Sequence, residues 1–201
     1  MMKRAFDVVL SSIGLVVAAP LWAVIALAVK LQDGGPVMFR QDRVGLNGRV
    51  FEALKFRSMI PDAEARTGAV QATEHDPRVT PVGRLLRATA MDELPQLWNI
   101  LRGDMSFVGP RPLRPGEADI ADDGVVIPLC DIRGYETRHL VRPGLTGLAQ
   151  VYAARDLRRS GKFRLDRLYL KRASFGLDLK LLLISFLITA RGAWERRDRN
   201  A

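Results

Sequence analysis

The stretch Val8-Val-Leu-Ser-Ser-Ile-Gly-Leu-Val-Val-Ala-Ala-Pro20-Leu-Trp-Ala-Val-Ile-Ala-Leu-Ala-Val29 carries no charged side chain and a single proline. At ~1.5 Å per residue, its roughly 22 residues are long enough to cross the hydrocarbon core of a bilayer. A cleaved signal sequence fits less well, because Lys30 and Asp33 follow without a small-residue cleavage site. A wholly apolar helix buried inside a chain of 201 residues would be unusual. The run therefore reads as membrane-associated. Pro20 removes one helical hydrogen bond near its middle and favours a kink. The arms on either side are about 12 and 9 residues, or roughly 18 and 14 Å, each about half a bilayer core. Lys3 and Arg4 flank one end, and Lys30, Arg40 and Arg43 lie beyond the other. Basic residues at both ends favour both ends facing the cytoplasm. The expectation is a bent, re-entrant anchor over residues 1–33, preferred to a straight span, with Ser11 and Ser12 placed to satisfy backbone groups near the membrane.

The remaining residues, 34–201, are enough for one domain with a real core. The net charge of +9 and pI of about 10.4 point to an anionic partner: nucleic acid, anionic lipid or a phosphorylated small molecule. A lone cysteine, Cys130, excludes an internal disulfide, and with only His75 and His139 beside it a zinc site is not expected.

Beyond Gly34-Gly35-Pro36, two runs at 37–44 and 49–57 surround Asn47-Gly48 and read as a short β-hairpin. Its cations Arg40, Arg43, Lys55 and Arg57 suit phosphate, although each taken alone reads as a solvated strand-face charge. Residues 60–74 have a weak helical pattern, and 75–81 form a proline-rich connector.

Asp92 and Glu93 then stand side by side at the mouth of an apolar helix. Thr89 and Asp92 have the spacing of a helix-start box, Pro95 suits a first turn, and Leu94, Leu97, Trp98 and Leu101 share a core-facing side. The plain reading of the dyad is a helix cap. Against it stand arginines on both sides, Arg87 upstream with Arg102 and Arg111 downstream. Met105–Val108 is strand-like and ends in Gly109-Pro110-Arg111-Pro112, where two prolines hold one arginine on a stiff support. Residues 113–134, with Asp119, Asp122 and Asp123, read as a surface loop or frayed helix. Arg142-Pro143-Gly144-Leu145-Thr146-Gly147 has the glycine punctuation for close backbone approach to a ligand. Phe163–Leu170 is helical in period with one acid, Asp166. Leu177–Ala190 is apolar but too short to span; core and membrane-interface placements both fit, and Arg191, Arg196 and Arg197 favour an anionic surface.

Taken together, Lys3-Arg4-Ala-Phe6-Asp7, Gly35-Pro36-Val37, Lys55-Phe56-Arg57-Ser58-Met59, Asp76-Pro77-Arg78-Val79-Thr80, Asp92-Glu93-Leu94-Pro95-Gln96-Leu97-Trp98-Asn99, Met105–Pro112 and Pro143–Gln150 resemble, in order and over most of the chain, the bacterial sugar transferases. The closest resemblance is to the small monotopic phosphoglycosyl transferases. That resemblance implies an α+β, mainly helical fold: a proline-broken re-entrant membrane helix, a short β-hairpin, and a cytoplasmic catalytic core with amphipathic interface helices. It implies an enzyme at the cytoplasmic face of the bacterial inner membrane. The reaction implied is transfer of a sugar-1-phosphate from a nucleotide sugar, UDP-linked by family expectation, to polyprenyl (undecaprenyl) phosphate, which starts glycan assembly. Ala19 stands where some members carry serine before the proline.

By the same resemblance Asp92 is the nucleophile, forming an aspartyl-phosphosugar and releasing UMP. Glu93 aids metal binding or proton handling. Mg²⁺, which favours carboxylate and phosphate oxygens, is expected on Asp92 and Glu93. Lys55, Arg57, Arg87 and Arg111 are the phosphate-recognition candidates, and Asp166 matches a functional acid of the family. The partners expected are the two substrates and membrane lipid, not nucleic acid; a homodimer is compatible. The rival is a non-catalytic, membrane-anchored basic protein that binds anionic lipid or nucleic acid, and it predicts no release of nucleoside monophosphate.

Overall fold

The computed structural model describes residues 2–63, 76–120, 124–154 and 157–191. Most of the weak helix expected at 60–74 lies outside these residues, as do His75, Asp122, Asp123, Arg196 and Arg197.

The apolar run forms most of α1 (Met2–Asp33), a helix long and apolar enough to cross a membrane. Only 17% of its most apolar window is buried, so it is no core helix. Pro20 does not divide it as expected: α1 is one uninterrupted element. A proline removes a single donor, and the turns on either side remain helical. Around that proline Val16, Val17, Ala19, Pro20 and Leu21 are all exposed.

Both ends of α1 are fastened to the rest of the chain. The hairpin β1 (Met38–Val44) and β2 (Val50–Phe56) pairs antiparallel from Met38↔Phe56 to Val44↔Val50, as the Asn47-Gly48 turn predicts. Ile25 and Val29 of α1 pack with Phe56 and with Leu86 of α2 (Pro81–Ala88), and Trp22 meets the Phe56 ring edge-on at 5.5 Å. At the other end, the Asp7 carboxylate accepts from Ser106 Oγ and Phe107 N, both at 3.1 Å. Lys3 and Arg4, expected as membrane flanks, turn inward. Lys3 Nζ donates to Val108 O (2.7 Å), the Tyr169 hydroxyl (2.8 Å) and Asp178 Oδ2 (2.7 Å). Arg4 donates to Ile100 O (2.6 Å) and Leu101 O (2.7 Å), satisfying the C-terminal carbonyls of α3 (Gln96–Arg102). Ser11 Oγ donates to Asp7 O at 2.6 Å, within its own helix.

α3 supports the hairpin. Fully buried Asn99 accepts from Leu54 N (3.0 Å) and donates to Glu52 O (2.7 Å), so its amide mimics a strand partner. β3 (Ser106–Val108) lies buried against α1 and the C-terminal helix Phe175–Ala190. Residues 113–134 are not the loop or frayed helix expected: they include β4 (Ala118–Ile120) and β5 (Val126–Pro128), paired antiparallel. Each is three residues long and largely exposed, too short for an alternation pattern to register. α4 (Tyr135–Arg138) follows, and then β6 (Gly144–Thr146), which pairs in parallel with β3. The glycine punctuation serves this pairing, because a Cβ on Gly144 would fall 2.0 Å from Gly109 N. The close backbone approach is thus to the chain's own Pro-Arg-Pro loop.

α5 (Leu148–Tyr152), α6 (Arg159–Arg172) and α7 (Phe175–Ala190) complete the fold. One core joins Leu97 and Ile100 of α3, Met105, Phe107 and Val108, Val151, Tyr169 and Leu181. α7 packs on the core along one side only. Leu181 packs inward, while Leu179, Leu183, Phe186 and Leu187 stay exposed as an apolar row.

Candidate active site

The dyad sits on a forced reversal between α2 and α3. Thr89 ends α2 instead of starting α3: its hydroxyl donates back to Leu85 O at 2.8 Å. Ala90 then takes a left-handed conformation (φ +54°), and Met91–Glu93 form a single 3-10 turn. Asp92 is therefore no helix cap. The expected box fails because the Thr89 hydroxyl is spent on the helix behind it. Pro95 occupies the N-cap of α3, with φ −61° preset for the helix. Met91 and Leu94 pack on the Ile25–Phe56 cluster at the end of α1.

The two carboxylates differ in surroundings. Asp92 is buried, and among the described residues no donor holds its carboxylate. Burial pushes its pKa up, against the pull of Lys55, and the Glu93 charge adds to the rise. Burial would also raise Glu93, but Lys55 and Arg111 outweigh it and hold that carboxyl well below the usual range. Both cations donate to the same oxygen, Oε1: Lys55 Nζ at 2.5 Å and Arg111 Nη2 at 3.3 Å. Glu93 is a locked anion. Asp92 is the more basic, uncommitted carboxylate, which suits a nucleophile.

Arg111 is half exposed on a rigid loop. Its four-residue stretch is held at every carbonyl: Pro110 O by Gly144 N (2.9 Å), Arg111 O by Arg138 Nη2 (2.7 Å), Pro112 O by Arg43 Nη1 (3.1 Å) and Leu113 O by Val44 N (2.8 Å). Arg138 is in turn paired with Asp166 Oδ2 at 3.0 Å, both side chains 3% exposed. A small cleft opens beside Glu93, walled by Arg43, Lys55, Gln96, Arg111 and Leu145.

Of the residues singled out from sequence, Lys55, Glu93 and Arg111 meet directly. Arg87 is half-buried and close enough for its charge to favour ionised Asp92. Two do not join them. Arg57 is buried and ion-paired with Asp33, with Val29 O at 3.4 Å, so it fastens the end of α1 to the hairpin. Asp166 sits behind the site, reaching it only through Arg138 and the Arg111 carbonyl. Arg138 was missed, and Arg43, read as one of four hairpin cations that suit phosphate, was not placed at the site. Arg43 carried a readable signal: with the register fixed, Gln41, Arg43, Ala53 and Lys55 share one face of the hairpin. Arg40, on the opposite face, pairs with Glu52 and is 67% exposed, the solvated charge expected there.

The donor set fits Mg²⁺. Among the described residues no three acidic, histidine or cysteine side chains cluster, so these residues form no all-protein cage for a metal. Two adjacent carboxylates, with Glu93 Oε2 outside the Lys55 and Arg111 contacts, suit a cation that completes its shell with phosphate and water oxygens.

The sequence pattern described as bacterial sugar transferase matches residues 1–192. The chain is 43% identical over 190 residues to the undecaprenyl-phosphate glucose phosphotransferase of Komagataeibacter xylinus, covering 91% of this chain and 35% of that protein. It is 42% identical over 199 residues to the UDP-glucose:undecaprenyl-phosphate glucose-1-phosphate transferase of Caulobacter vibrioides, covering 96% and 72%. It is 40% identical over 196 residues to the UDP-N-acetylgalactosamine-undecaprenyl-phosphate N-acetylgalactosaminephosphotransferase of Aeromonas hydrophila, covering 95% and 44%. The chain thus spans less than half the length of the first and third of these.

Proposed function

The chain belongs to the bacterial sugar transferase family, and on that premise we propose that it transfers a sugar-1-phosphate from a UDP-sugar to undecaprenyl phosphate at the cytoplasmic face of a bacterial membrane. The observation that carries this reading is the buried, uncommitted Asp92 beside a Glu93 locked by Lys55 and Arg111. Its relatives are named for UDP-glucose and UDP-N-acetylgalactosamine donors, so the donor class is a UDP-hexose.

An Asp92 carboxylate oxygen attacks the phosphorus bearing the sugar. The bond from that phosphorus to the bridging oxygen breaks, and UMP departs with the electron pair, leaving an aspartyl-phosphosugar. A phosphate oxygen of undecaprenyl phosphate then attacks the same phosphorus. The bond to Asp92 breaks, the carboxylate is regenerated, and the diphosphate-linked sugar is released. Attack of one anion on another is the main obstacle, and Lys55, Arg87 and Arg111 offset it with charge already in place. Glu93 holds two of those cations in register. Mg²⁺, held by oxygens of Asp92 and Glu93, supplies further neutralisation of the donor diphosphate when bound.

The anchor is read as a re-entrant helix that stays helical through Pro20 and bends there. In support, Lys3, Arg4 and Asp7 at one end of α1 and Ile25, Val29 and Asp33 at the other rest on one catalytic body. A straight crossing would put one of those ends about 33 Å away, on the opposite side of the bilayer. The exposed segment at 16–21 is the apex of the bend, and the bare row on α7 lies in the interface.

The test incubates the protein with Mg²⁺ and a panel of UDP-sugars, without acceptor. Stoichiometric UMP release and a phosphosugar-labelled protein are expected, both absent in Asp92→Asn. Label retained in that variant, or UMP release only when undecaprenyl phosphate is present, overturns the covalent route.

A further inference from the structure

We propose that Arg43 is a third cation of the donor cleft and binds the phosphate that departs with the nucleotide. The inference rests on the transferase reading and extends it to a residue on the far wall of the cleft.

Arg43 projects from the hairpin face that also carries Lys55. Its guanidinium donates to two neutral oxygens, Pro112 O at 3.1 Å and Gln41 Oε1. Among the described residues no carboxylate lies within ion-pair reach of it. Glu93, the acid of the cleft, already serves Lys55 and Arg111. The cleft therefore presents three cations around one carboxylate. A largely buried cation without a counter-ion is costly unless an anion completes it. Burial, together with the nearby charges of Arg111 and Arg114, pushes the Arg43 pKa down to about 10, against the weaker pull of Glu117 and Glu93.

Position selects which phosphate that anion is. Contacts order the walls: Lys55 and Arg111 both meet Glu93, Pro112 follows Arg111 in the chain, and Arg43 meets the Pro112 carbonyl. Asp92, which takes the sugar-bearing phosphorus, is not among the residues walling it. The other phosphate of the donor then falls on the Arg111–Arg43 side, where a flat guanidinium fork matches phosphate oxygens. Charge there stabilises UMP as it leaves.

The test measures binding of UMP and of uridine to the full-length protein in lipid nanodiscs, in wild type, Arg43→Gln and Arg43→Lys. Arg43→Gln is expected to weaken UMP binding about 10- to 100-fold with uridine binding unchanged. Arg43→Lys, which keeps the charge but loses the fork, is expected to fall between. Were Arg43 only a tether for Pro112, Arg43→Lys and Arg43→Gln would bind UMP equally, and that result overturns the proposal. Where Arg43→Gln lowers the thermal midpoint, Arg43→Lys decides: UMP affinity equal to wild type overturns it, and a selective loss supports it. The parent reading is scored separately by UMP release from the UDP-sugar panel. Release by wild type with unaltered UMP affinity in both variants rejects the Arg43 site alone. No release from any UDP-sugar, with UMP affinity still dependent on Arg43, rejects the transferase reading alone.

Discussion

Replacing Asp166 by asparagine separates a residue that touches substrate from one that holds the site in place. Asp166 and Arg138 pair at 3.0 Å with both side chains 3% exposed. Burial raises the acid's pKa and lowers the guanidinium's, each against the attraction of its partner. The pair is therefore held in charged form by mutual attraction, and removing one member strands the other. Breaking such a buried pair costs about 3–5 kcal/mol. Part of the Arg138 guanidinium remains supported by the Phe163 ring, 4.8 Å from its centre, which favours the lower half of that range. Near 200 residues each kcal/mol lowers the midpoint by about 2–4 °C, so Asp166→Asn should unfold roughly 6–15 °C below wild type. The double variant Asp166→Leu, Arg138→Met removes both charges and should recover most of the stability. It should not recover UMP release, because the Arg111 carbonyl has still lost its donor. Thermal unfolding in nanodiscs and single-turnover UMP release measure the two effects. The reasoning fails if Asp166→Asn costs under about 1 kcal/mol, the range of an exposed pair. It also fails if Asp166→Asn abolishes the label as completely as Asp92→Asn while unfolding like wild type, since that pattern marks direct contact with substrate.

Two further predictions follow from the site and the anchor. The raised pKa of Asp92 means that labelling, which needs the carboxylate, should lose its activity on the acid side at a pH above the ordinary carboxylate range of about 4. Lys55 pulls that pKa down, so Lys55→Met should move the acid limb of the residual rate to higher pH; a limb that stays in place refutes the charge assignment. For the anchor, Cys130→Ser supplies a cysteine-free background. Single substitutions Met2→Cys and Leu31→Cys, at positions 70% and 75% exposed, should both react with an impermeant thiol reagent in inside-out vesicles, and Val17→Cys should be protected. Reaction of positions 2 and 31 from opposite sides would establish a straight span.

Local chemistry alone determined a good part of this protein. A charge-free run with one proline specifies a helix long and apolar enough to cross a membrane, two runs around Asn47-Gly48 specify the hairpin, and two prolines around Arg111 specify a stiff support. Each of these signals spans a few turns of chain and needs no distant partner. The adjacency of Asp92 and Glu93 was equally plain, but the difference between them was not: it depends on Lys55 and Arg111, which approach Glu93 from positions 38 and 18 residues away. Distance along the chain also misled. Lys3 and Arg4 look like membrane flanks until Asp178, 175 residues on, and the end of α3 draw them inward. Arg57 has the composition of a phosphate ligand, yet Asp33 claims it. Asp166 becomes legible only through Arg138, 28 residues earlier, and the carbonyl that Arg138 holds. A charged residue's type says what it could bind, but burial and the nearest opposite charge decide what it does bind, and both are properties of the packed chain.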